Sequence, residues 1–552
     1  AVLYRPVSLV MFAIEWELSP DNPHIHHFGN IFLYGLTGLL LCLTLIKLFN
    51  QRNPILAVLS TLFFLAHPVH TEVVANIKSR DEMLLFFFAI AAFYSLWKYL
   101  ETNRKAWMFG SLLAYTLAIF SKLYGVTMLL VFPLLLYFFR TMNWSRMAKL
   151  SSLYLIPTAI FLAIRFQVLG GWLGGGAKVS ILDNFLVGAP NLSLKLASTF
   201  MMLGKYLLTL IFPWQLHSDL GYHQIPISSW GNGLVLLGLV SVAGLAYFAI
   251  RQFAAKSIWS FCILFSGISF SVYTNLVFTI GTAYGERFLY VASLGFSMAL
   301  AYGILKLFKV DLDQKLVGFS QFVKQHQMPL LLSLVILLCY SFKTLQRNQA
   351  WKSSYDLYAT DIKTAPNCAK LNYHLGLEQV KKGLDSKEAK AKQAWFDAAF
   401  QQFEKAIAIY PDYHDAYGQL GLAYYRKNDF GNAMRNYQKS IALKPNNAKV
   451  FSNMGIIYFN QGQLPKAEEV YKKAVALDPR FLDARRNLGS VFAETKRFDQ
   501  AIEQFQAALA LAPNDATINY YLGRCYSDKG DQQTGQGYLN KAYQLNPALK
   551  KN

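Results

Sequence analysis

The feature that most constrains this chain is a series of long apolar runs in its first two thirds. Runs such as "IFLYGLTGLLLCLTLIKLF" and "GLVLLGLVSVAGLAYFAI" contain almost no charged residue. A helix needs about 20 apolar residues to cross the hydrocarbon core of a bilayer. Charged residues make up 15% of the chain, compared with about 25% in an average soluble protein. The sequence therefore predicts a polytopic membrane protein up to about residue 342, followed by a soluble segment.

We predict ten membrane-spanning helices in this region. Residues 194–214 are also apolar, but Lys195 and Lys205 interrupt them, so this helix is expected to lie in the interface or within the bundle without crossing. The ten predicted spans are 28–48, 53–66, 82–100, 106–120, 123–139, 149–167, 231–250, 258–280, 288–308 and 328–342.

Basic residues are concentrated in the loops on one side of this topology. Because basic loops stay in the cytoplasm, the other face is predicted to be extracytoplasmic, and it carries residues 1–27, 67–81, 166–230, 281–287 and the C-terminal segment. The larger share of the net charge of +21 thus orients the chain in a membrane, the rest is spread with acids along the C-terminal helices, and neither indicates nucleic-acid binding. The basic loop residues are Lys47, Arg52, Lys98, Arg104, Lys105, Arg140, Arg146, Lys149, Arg251, Lys256, Lys306, Lys309, Lys315 and Lys324.

The last third of the chain repeats with a period of 34 residues. A helix–turn–helix unit of this length, with small residues at close-packing positions, resembles the tetratricopeptide repeat. Five units are predicted over 367–547, the first enlarged by a charged insert near 381–393, after a membrane domain at 1–345 and a linker at 346–366. The residues that keep the period are Pro411, Pro445, Pro479, Pro513 and Pro547, with Gly421, Gly455, Gly489 and Gly523.

The predicted fold class is therefore all-α: a transmembrane helix bundle followed by an α-solenoid of repeats. Stacked repeats of this kind form a superhelix with a concave binding face. We expect that face to bind a protein or peptide, either as an acceptor substrate or as the partner of a scaffold.

A cluster of ionisable residues lies between two apolar runs in "LAHPVHTEVVANIKSRDEMLLFFF", residues 65–88. A charge at the bilayer centre is costly, so such a cluster is expected at a membrane surface or in a functional cavity. His67, His70 and Glu72 suggest a divalent metal, although the spacing is not that of the zinc proteases and no third strong ligand follows. Metal binding, helix capping with loop packing, and a polar catalytic cavity all remain open from the sequence.

Other polar residues are expected on the same face. Arginine and lysine at the membrane–water boundary suit a lipid phosphate, and nearby carboxylates suit general-base work on a hydroxyl group. Together they predict a site where a lipid-linked phosphate donor meets a hydroxyl acceptor, as in glycosyl transfer. Asp81 and Glu82 have a simpler interpretation, since acids favour a helix N-terminus. The further candidates are Tyr4, Arg5, Arg80, Asp81, Lys122, Tyr124, Glu286, Arg287 and Tyr290.

Several motifs occur in the order seen in one known family. They include "YRPVSLVMF", "FFLAHPVHTEVVANIKSRDEMLL", "AIFSKLYGV" and "GERFLYVASLGF". The chain resembles the transmembrane-and-tetratricopeptide-repeat O-mannosyltransferases, which are similar to other GT-C glycosyltransferases. The resemblance implies an inverting transfer of a sugar, usually mannose, from a polyprenyl-phosphate donor to Ser or Thr of a protein, with the repeats on the lumenal or periplasmic side.

On this basis the residues receive roles. We assign catalytic roles to Asp81, Glu72 and Glu286. Substrate binding is assigned to Arg5, His67, His70, Arg80, Lys122, Tyr124, Arg287 and Tyr290. The implied partners are membrane lipid, the polyprenyl-phosphate sugar and a protein acceptor, and a bacterial inner membrane with periplasmic repeats is expected, with the endoplasmic reticulum as the alternative.

The sequence departs from the family pattern at three places. The main catalytic acid is expected upstream of "YRP", and the chain opens without an initiator Met, so a preceding segment with a further span is expected. Leu123 replaces the Glu that usually follows "SK", and Phe185 replaces the Pro of the usual "DNP". Two other functions are therefore carried forward: a membrane-anchored scaffold that recruits partners to a secretion or assembly complex, and a transporter of polyprenyl-linked sugars.

Overall fold

The computed structural model describes residues 4–49, 53–171, 179–314 and 318–551. Across these ranges the chain is built from helices and holds no β-strand. The all-α prediction is thereby confirmed. Two compact units are present, Ala1–Leu371 and Asn372–Asn552. Arg52 and Lys315, two of the basic loop residues, lie outside the described residues.

The helices up to Leu371 are numbered in chain order. They are α1 Pro6–Leu18, α2 Pro23–Phe49, α3 Ile55–Ala66, α4 Thr71–Ala75, α5 Arg80–Thr102, α6 Lys105–Ser121, α7 Met128–Phe139, α8 Trp144–Ser152, α9 Leu155–Leu169, α10 Leu192–Ile211, α11 Gly233–Arg251, α12 Ile258–Phe270, α13 Leu289–Leu307, α14 Phe319–Gln325, α15 Gln327–Ala350 and α16 Ser354–Asp361. Short 3₁₀ turns lie at Pro68–His70, Ile77–Ser79, Leu123–Thr127, Phe185–Gly188, Ser271–Tyr273 and Glu286–Phe288.

Local sequence signals set several of these helix starts. Asn143, Asn191 and Asn232 each precede a helix, and each side chain accepts a backbone N–H bond from the first turn. Such caps satisfy N–H groups that have no partner within the helix. Outward faces stay apolar: Val240 on α11 is 67% exposed and Phe342 on α15 is 69% exposed. Apolar surfaces of this kind suit contact with lipid acyl chains.

The number of candidate membrane spans is smaller than predicted. Seven helices in the described ranges are long and apolar enough to cross a membrane, or eight if the pair Ile55–Ala66 and Pro68–Ala75, bent by 51°, counts as one span. We predicted ten. The helices at the predicted spans 106–120, 123–139 and 258–280 are at most 17 residues long. Such a helix is about 25 Å long, whereas the hydrocarbon core is about 30 Å thick.

The helix α10 meets the criteria of length and apolarity for a span, but its contacts do not show a crossing. Its length and apolarity make Leu192–Ile211 a candidate span, although we expected Lys195 and Lys205 to prevent a crossing. Lys195 Nζ donates to Thr279 Oγ1 at 2.7 Å, and at the other end of the helix Thr209 Oγ1 lies 3.0 Å from the Tyr284 hydroxyl. Residues 279 and 284 belong to one short segment, so both ends of α10 lie at the same end of the bundle.

Residues 346–366, predicted as a linker, are partly helical and partly buried. They contain α16 and the end of α15. Asp361 is 1% exposed, and Arg347 Nη1 donates to its Oδ1 at 2.5 Å. The backbone N–H and the hydroxyl of Ser218 both donate to Asp361 Oδ2 at 2.7 Å. These contacts pack the segment against the first unit, which the charged and polar composition did not indicate.

The C-terminal helices form five antiparallel pairs, which agrees with five predicted repeats. They are α17 Ala369–Asp385, α18 Ala389–Ile409, α19 His414–Arg426, α20 Phe430–Leu443, α21 Ala448–Asn460, α22 Leu464–Leu477, α23 Leu482–Glu494, α24 Phe498–Leu511, α25 Ala516–Lys529 and α26 Gln532–Leu545. The predicted insert lengthens the first pair to helices of 17 and 21 residues.

Close packing explains the periodic glycines. A Cβ atom added at Gly455 would lie 2.5 Å from Tyr471 Cε1, and one added at Gly489 would lie 2.8 Å from Phe505 Cε1. Both aromatic rings are buried, at 2% and 0% exposure. Glycine on the first helix of each pair therefore lets the aromatic ring of the second helix approach, and both residues recur with the repeat.

Candidate functional site

Segments that are far apart in sequence meet at one end of the first unit. The N-terminal segment, residues 67–82, the turn after α6 and residues 271–288 all contribute charged or hydroxyl groups there. Arg5 forms an ion pair with Asp81, Lys122 Nζ lies 3.4 Å from Asp81 Oδ2, and the backbone N–H of Arg287 donates to Glu72 Oε2 at 3.0 Å. This end of the bundle is the candidate site.

Two adjacent carboxylates form its buried centre. Asp81 and Glu82 lie in the first turn of α5 and are 2% and 1% exposed. Lys122 forms an ion pair with Glu82, and the Tyr273 hydroxyl donates to both Glu82 carboxylate oxygens at 3.2 and 3.3 Å. Buried charges are tolerated when they are paired and hydrogen-bonded, and Arg5 and Lys122 supply the two opposing charges.

One oxygen of Asp81 stands out. Asp81 Oδ1 accepts the backbone N–H of Glu82 at 3.0 Å, which caps the first turn of α5. Asp81 Oδ2 is buried and forms ion pairs with Arg5 and Lys122. The Arg5 side chain is 28% exposed. A carboxylate oxygen in this position can accept a proton from a hydroxyl group that enters beside Arg5.

A second carboxylate holds an arginine nearby. Glu72, on α4, accepts from the guanidinium of Arg287 with Oε1 and from the backbone of Arg287 with Oε2. The Glu72 side chain is 2% exposed, whereas that of Arg287 is 26% exposed. The guanidinium is therefore fixed on its buried side and accessible on the other, which suits it to bind a phosphate.

Aromatic rings connect these two groups. The Tyr273 ring, whose hydroxyl bonds Glu82, stacks on Phe288 with ring centroids 4.4 Å apart. The Arg287 guanidinium carbon lies 4.9 Å from the centre of the same Phe288 ring. Tyr124, a predicted site residue, packs edge-on against Tyr273 at 4.5 Å. These contacts join the residues around both carboxylates into one contiguous region. Its members are Asp81, Lys122, Arg5, Tyr124, Glu72 and Arg287.

Arg80 occupies a different position from the one expected. It is fully buried, and its three nitrogens donate to Asn30 Oδ1, Glu15 Oε1 and the His26 carbonyl at 2.7, 2.6 and 2.6 Å. The guanidinium carbon also lies 4.7 Å from the centre of the Phe12 ring. Arg80 therefore joins α1, α2 and α5, and its assignment to substrate binding is replaced by a structural one.

His67, His70 and Tyr290 are likewise buried, and the two histidines bond to other parts of the protein. His67 Nε2 bonds the Leu210 carbonyl at 2.9 Å, and His70 bonds Tyr34 and Ser293 at 2.7 and 2.8 Å. The Tyr290 ring packs on His70 at 4.8 Å. Both imidazoles are occupied by protein partners, and Glu72 binds Arg287, so the three residues predicted as possible metal ligands do not converge. Within the described ranges, no group of three or more His, Cys, Asp or Glu is suitably placed for a metal.

Glu286 lies beyond this region, next to residues that follow α15. It is 2% exposed and accepts the backbone N–H of His217. The His217 ring bonds Thr364 Oγ1 at 2.9 Å, and burial lowers the pKa of His217 to about 4. Glu286 thereby holds the backbone of His217 beside the turn that carries Arg287, and its predicted catalytic role stays a prediction.

Several residues of the site were missed from the sequence. Glu82 was noted only as a helix-start acid, and Tyr273 and Glu15 were not singled out. The adjacency of Glu82 to Asp81 was a usable signal, since two acids at the start of a buried helix need two cations. Tyr273 and Glu15 carry no local signal, because their partners lie 191 and 65 residues away.

Comparisons with known proteins agree with the motifs. Residues 7–170 match the family model described as dolichyl-phosphate-mannose-protein mannosyltransferase, and residues 421–462, 453–516 and 495–549 match tetratricopeptide repeat models. Protein O-mannosyl-transferase TMTC3 of Homo sapiens is 26% identical over 465 residues, covering 77% of this chain and 46% of that protein. The chain is therefore similar to the protein O-mannosyl-transferases. The family resemblance seen in the sequence is confirmed.

Further relatives support the same relation. Protein O-mannosyl-transferase F38B6.6 of Caenorhabditis elegans is 26% identical over 378 residues, covering 68% of this chain and 50% of that protein. The chain thus spans about half the length of the curated relatives it matches. Among solved structures, the crystal structure of MamA aligns with 30% of this chain and 95% of its own, at 23% identity and a TM-score of 0.27. The relatives and the apolar helices identify an integral membrane protein.

Proposed function

We propose that this protein is a membrane glycosyltransferase that moves a sugar, mannose by analogy with its named relatives, from a polyprenyl-phosphate donor to a Ser or Thr hydroxyl of a protein. The observation that carries the proposal is the environment of Asp81. Its buried Oδ2 is ion-paired with both Lys122 and the partly exposed Arg5, so an ionised carboxylate lies beside a guanidinium that a substrate can reach.

Asp81 acts as the general base in this mechanism. The acceptor hydroxyl gives its proton to Asp81 Oδ2 while its oxygen forms a bond to the anomeric carbon of the sugar. The bond from that carbon to the donor phosphate breaks, and the phosphate oxygen keeps the electron pair. Attack opposite the leaving group inverts the anomeric centre, as the family resemblance implies.

The cations of the site hold the phosphate. Arg287, which Glu72 orients, and Arg5 are the partly exposed guanidiniums. Each can donate two parallel N–H bonds to phosphate oxygens, which stabilises the charge that develops as the phosphate leaves. Lys122 stays between the carboxylates and sets the position of Asp81, so it acts through Asp81 and not on the sugar.

The repeats and the orientation of the site in the membrane complete the proposal. We infer that the repeats bind the acceptor protein, and that the candidate site faces the extracytoplasmic side. The basic loops support this orientation, because the site and the basic loops lie at opposite ends of α2 and α5. A bacterial inner membrane with periplasmic repeats remains our expectation for the compartment, with the lumen of the endoplasmic reticulum as the alternative.

Transfer measured with purified full-length protein in liposomes tests the proposal. The donor is radiolabelled mannosyl polyprenyl phosphate, and the acceptors are Ser/Thr-rich peptides. Asp81→Asn is expected to lower the rate about 100-fold or more, as loss of a general base does. Asp21→Asn, the same chemical change at an exposed residue outside the site, is the matched control and should keep the wild-type rate.

Two outcomes would contradict the proposal. Full activity in Asp81→Asn would remove the assigned base. Absence of both transfer and donor binding in the wild-type protein, with the repeats still binding a partner protein, would favour the scaffold instead.

A further inference from the structure

A second group of charged side chains lies at the opposite end of the first unit from the candidate site. The helix α5 begins with the site residues Arg80–Glu82 and has 23 residues, so its two ends are about 35 Å apart. The ends of α2, α5 and α7 meet there. We call this group the basic end cluster; its members are Lys47, Trp97, Lys98, Glu101, Tyr137, Arg140 and Lys256.

Arg140 is the least satisfied member of the basic end cluster. Its guanidinium carbon lies 4.1 Å from the centre of the Trp97 ring. Within the described ranges no hydrogen bond or ion pair of the Arg140 side chain is found, and its Nε is buried without a partner. A guanidinium offers five N–H donors, and here they remain available to a ligand beside the indole.

The one carboxylate of the cluster is already occupied. Glu101 accepts from Trp97 Nε1 at 3.1 Å and from Lys47 Nζ at 3.3 Å, and Lys98 Nζ lies 3.8 Å from it. Glu101 therefore fixes the indole face on which Arg140 rests and partly neutralises the two lysines, while the charge of Arg140 is left uncompensated.

A further cation lies on the second aromatic ring of the cluster. Lys256 Nζ lies 4.8 Å from the centre of the Tyr137 ring, and Tyr137 is on α7 about one turn before Arg140. The cluster thus combines four cations with one carboxylate, and both aromatic rings carry a cation on a face. Tryptophan and tyrosine prefer the membrane–water boundary, which places the cluster at the depth of lipid headgroups.

We propose that the basic end cluster binds the phosphate of an anionic phospholipid headgroup, with Arg140 as its principal ligand. A phosphate accepts two parallel N–H bonds from a guanidinium, and basic pockets between membrane helices are suited to such headgroups. Binding there would compensate the charge of Arg140 at the edge of the hydrocarbon region. The site is distinct from the proposed transfer site and does not depend on it.

Thermal unfolding of the full-length protein in neutral detergent tests this binding. Phosphatidylglycerol is expected to raise the unfolding temperature in a saturable way, because a ligand of the folded state stabilises it, whereas phosphatidylcholine should not. Arg140→Gln is expected to weaken the apparent affinity for phosphatidylglycerol about fivefold or more. Arg146→Gln removes a basic residue that is exposed on α8 and outside the cluster, and it should keep the wild-type affinity.

Three results would overturn the proposal. Arg140→Gln could retain the wild-type affinity, Arg146→Gln could lose as much as Arg140→Gln, or inorganic phosphate alone could produce the full stabilisation, which would indicate a site for free anions. If Arg140→Gln does not fold, Lys47→Gln at the 29%-exposed edge of the cluster gives the same comparison, with weaker phosphatidylglycerol binding expected and unchanged binding as the contradicting result.

Discussion

Glu72 binds Arg287 through both of its carboxylate oxygens, although 215 residues separate the two in the chain. One oxygen accepts the guanidinium and the other accepts the backbone N–H of the same residue. The pair therefore sets both the backbone turn and the side-chain direction of Arg287, and it joins α4 to the segment before α13.

Replacement of Glu72 should affect stability and donor binding together. Glu72→Ala is expected to lower the free energy of unfolding by about 2–3 kcal/mol, because it removes hydrogen bonds to a charged group. In the transfer assay, the KM for the donor should rise more than kcat falls, since Arg287 loses its orientation. The double variant with Arg287→Ala should be less destabilised than the sum of the single variants. Strict additivity would show that the pair does not interact.

Arg5 and Arg80 should behave differently although each pairs with a carboxylate. Arg80→Gln is expected to destabilise the protein by about 3–5 kcal/mol, because it removes a fully buried charge that pairs with Glu15 and leaves His26 as the remaining ion-pair partner of that carboxylate. Arg5→Gln should change stability much less, since its side chain is 28% exposed, and it should lower transfer. Chemical unfolding followed by helical circular dichroism, with the transfer assay alongside, separates the two. A stable but inactive Arg80→Gln would contradict the structural role of Arg80.

His217 should make stability depend on pH. Burial lowers its pKa to about 4, so below its ordinary value of 6.5 the unfolded chain binds the proton first. Its contribution to stability is complete above pH 6.5 and is lost as the pH falls towards 4. Unfolding free energies of the wild type and His217→Gln should therefore converge between pH 7.5 and 4.5. A difference that stays constant over this range would show that His217 is not buried in its neutral form.

Glycines of the repeats offer a matched pair of substitutions. Gly455→Ala places a Cβ 2.5 Å from a ring atom of buried Tyr471, so it should destabilise the repeat unit by about 1–3 kcal/mol. Gly537→Ala lies in α26 with no atom within 4 Å of the added Cβ, and it should stabilise by roughly 0.5–1 kcal/mol through helix propensity. Urea unfolding of the full-length variants measures both. An equal change in the free energy of unfolding in both variants would mean that the contact with Tyr471 is not the reason for glycine at position 455.

The site shows where reasoning from sequence reaches its limit. The stretch at 65–88 is polar within an apolar context in the sequence, and the structure brings its residues Asp81 and Glu72 together with Arg5, Lys122 and Arg287. His67, His70 and Tyr290 look equally polar in the sequence, yet they are buried among rings and backbone carbonyls. Arg80 and Asp81 are neighbours in the chain, but successive residues of a helix point in different directions, so one braces α1 and the other faces the site.

The sequence by itself determined the architecture. Apolar runs, basic loops and a 34-residue period are local or periodic signals, and hydrophobic burial and helix geometry act on them in any context. Only the tertiary structure decided which charges meet. The pairing of charged and hydroxyl groups depends on how distant helix ends pack, and no spacing within the chain encodes those distances. The pairs are Glu72 with Arg287, Arg80 with Glu15, and Glu82 with Tyr273. The tertiary structure also decided the lengths of the helices that are close to the minimum needed to cross a bilayer. A few residues at each end of an apolar run determine whether its helix is long enough to be a span.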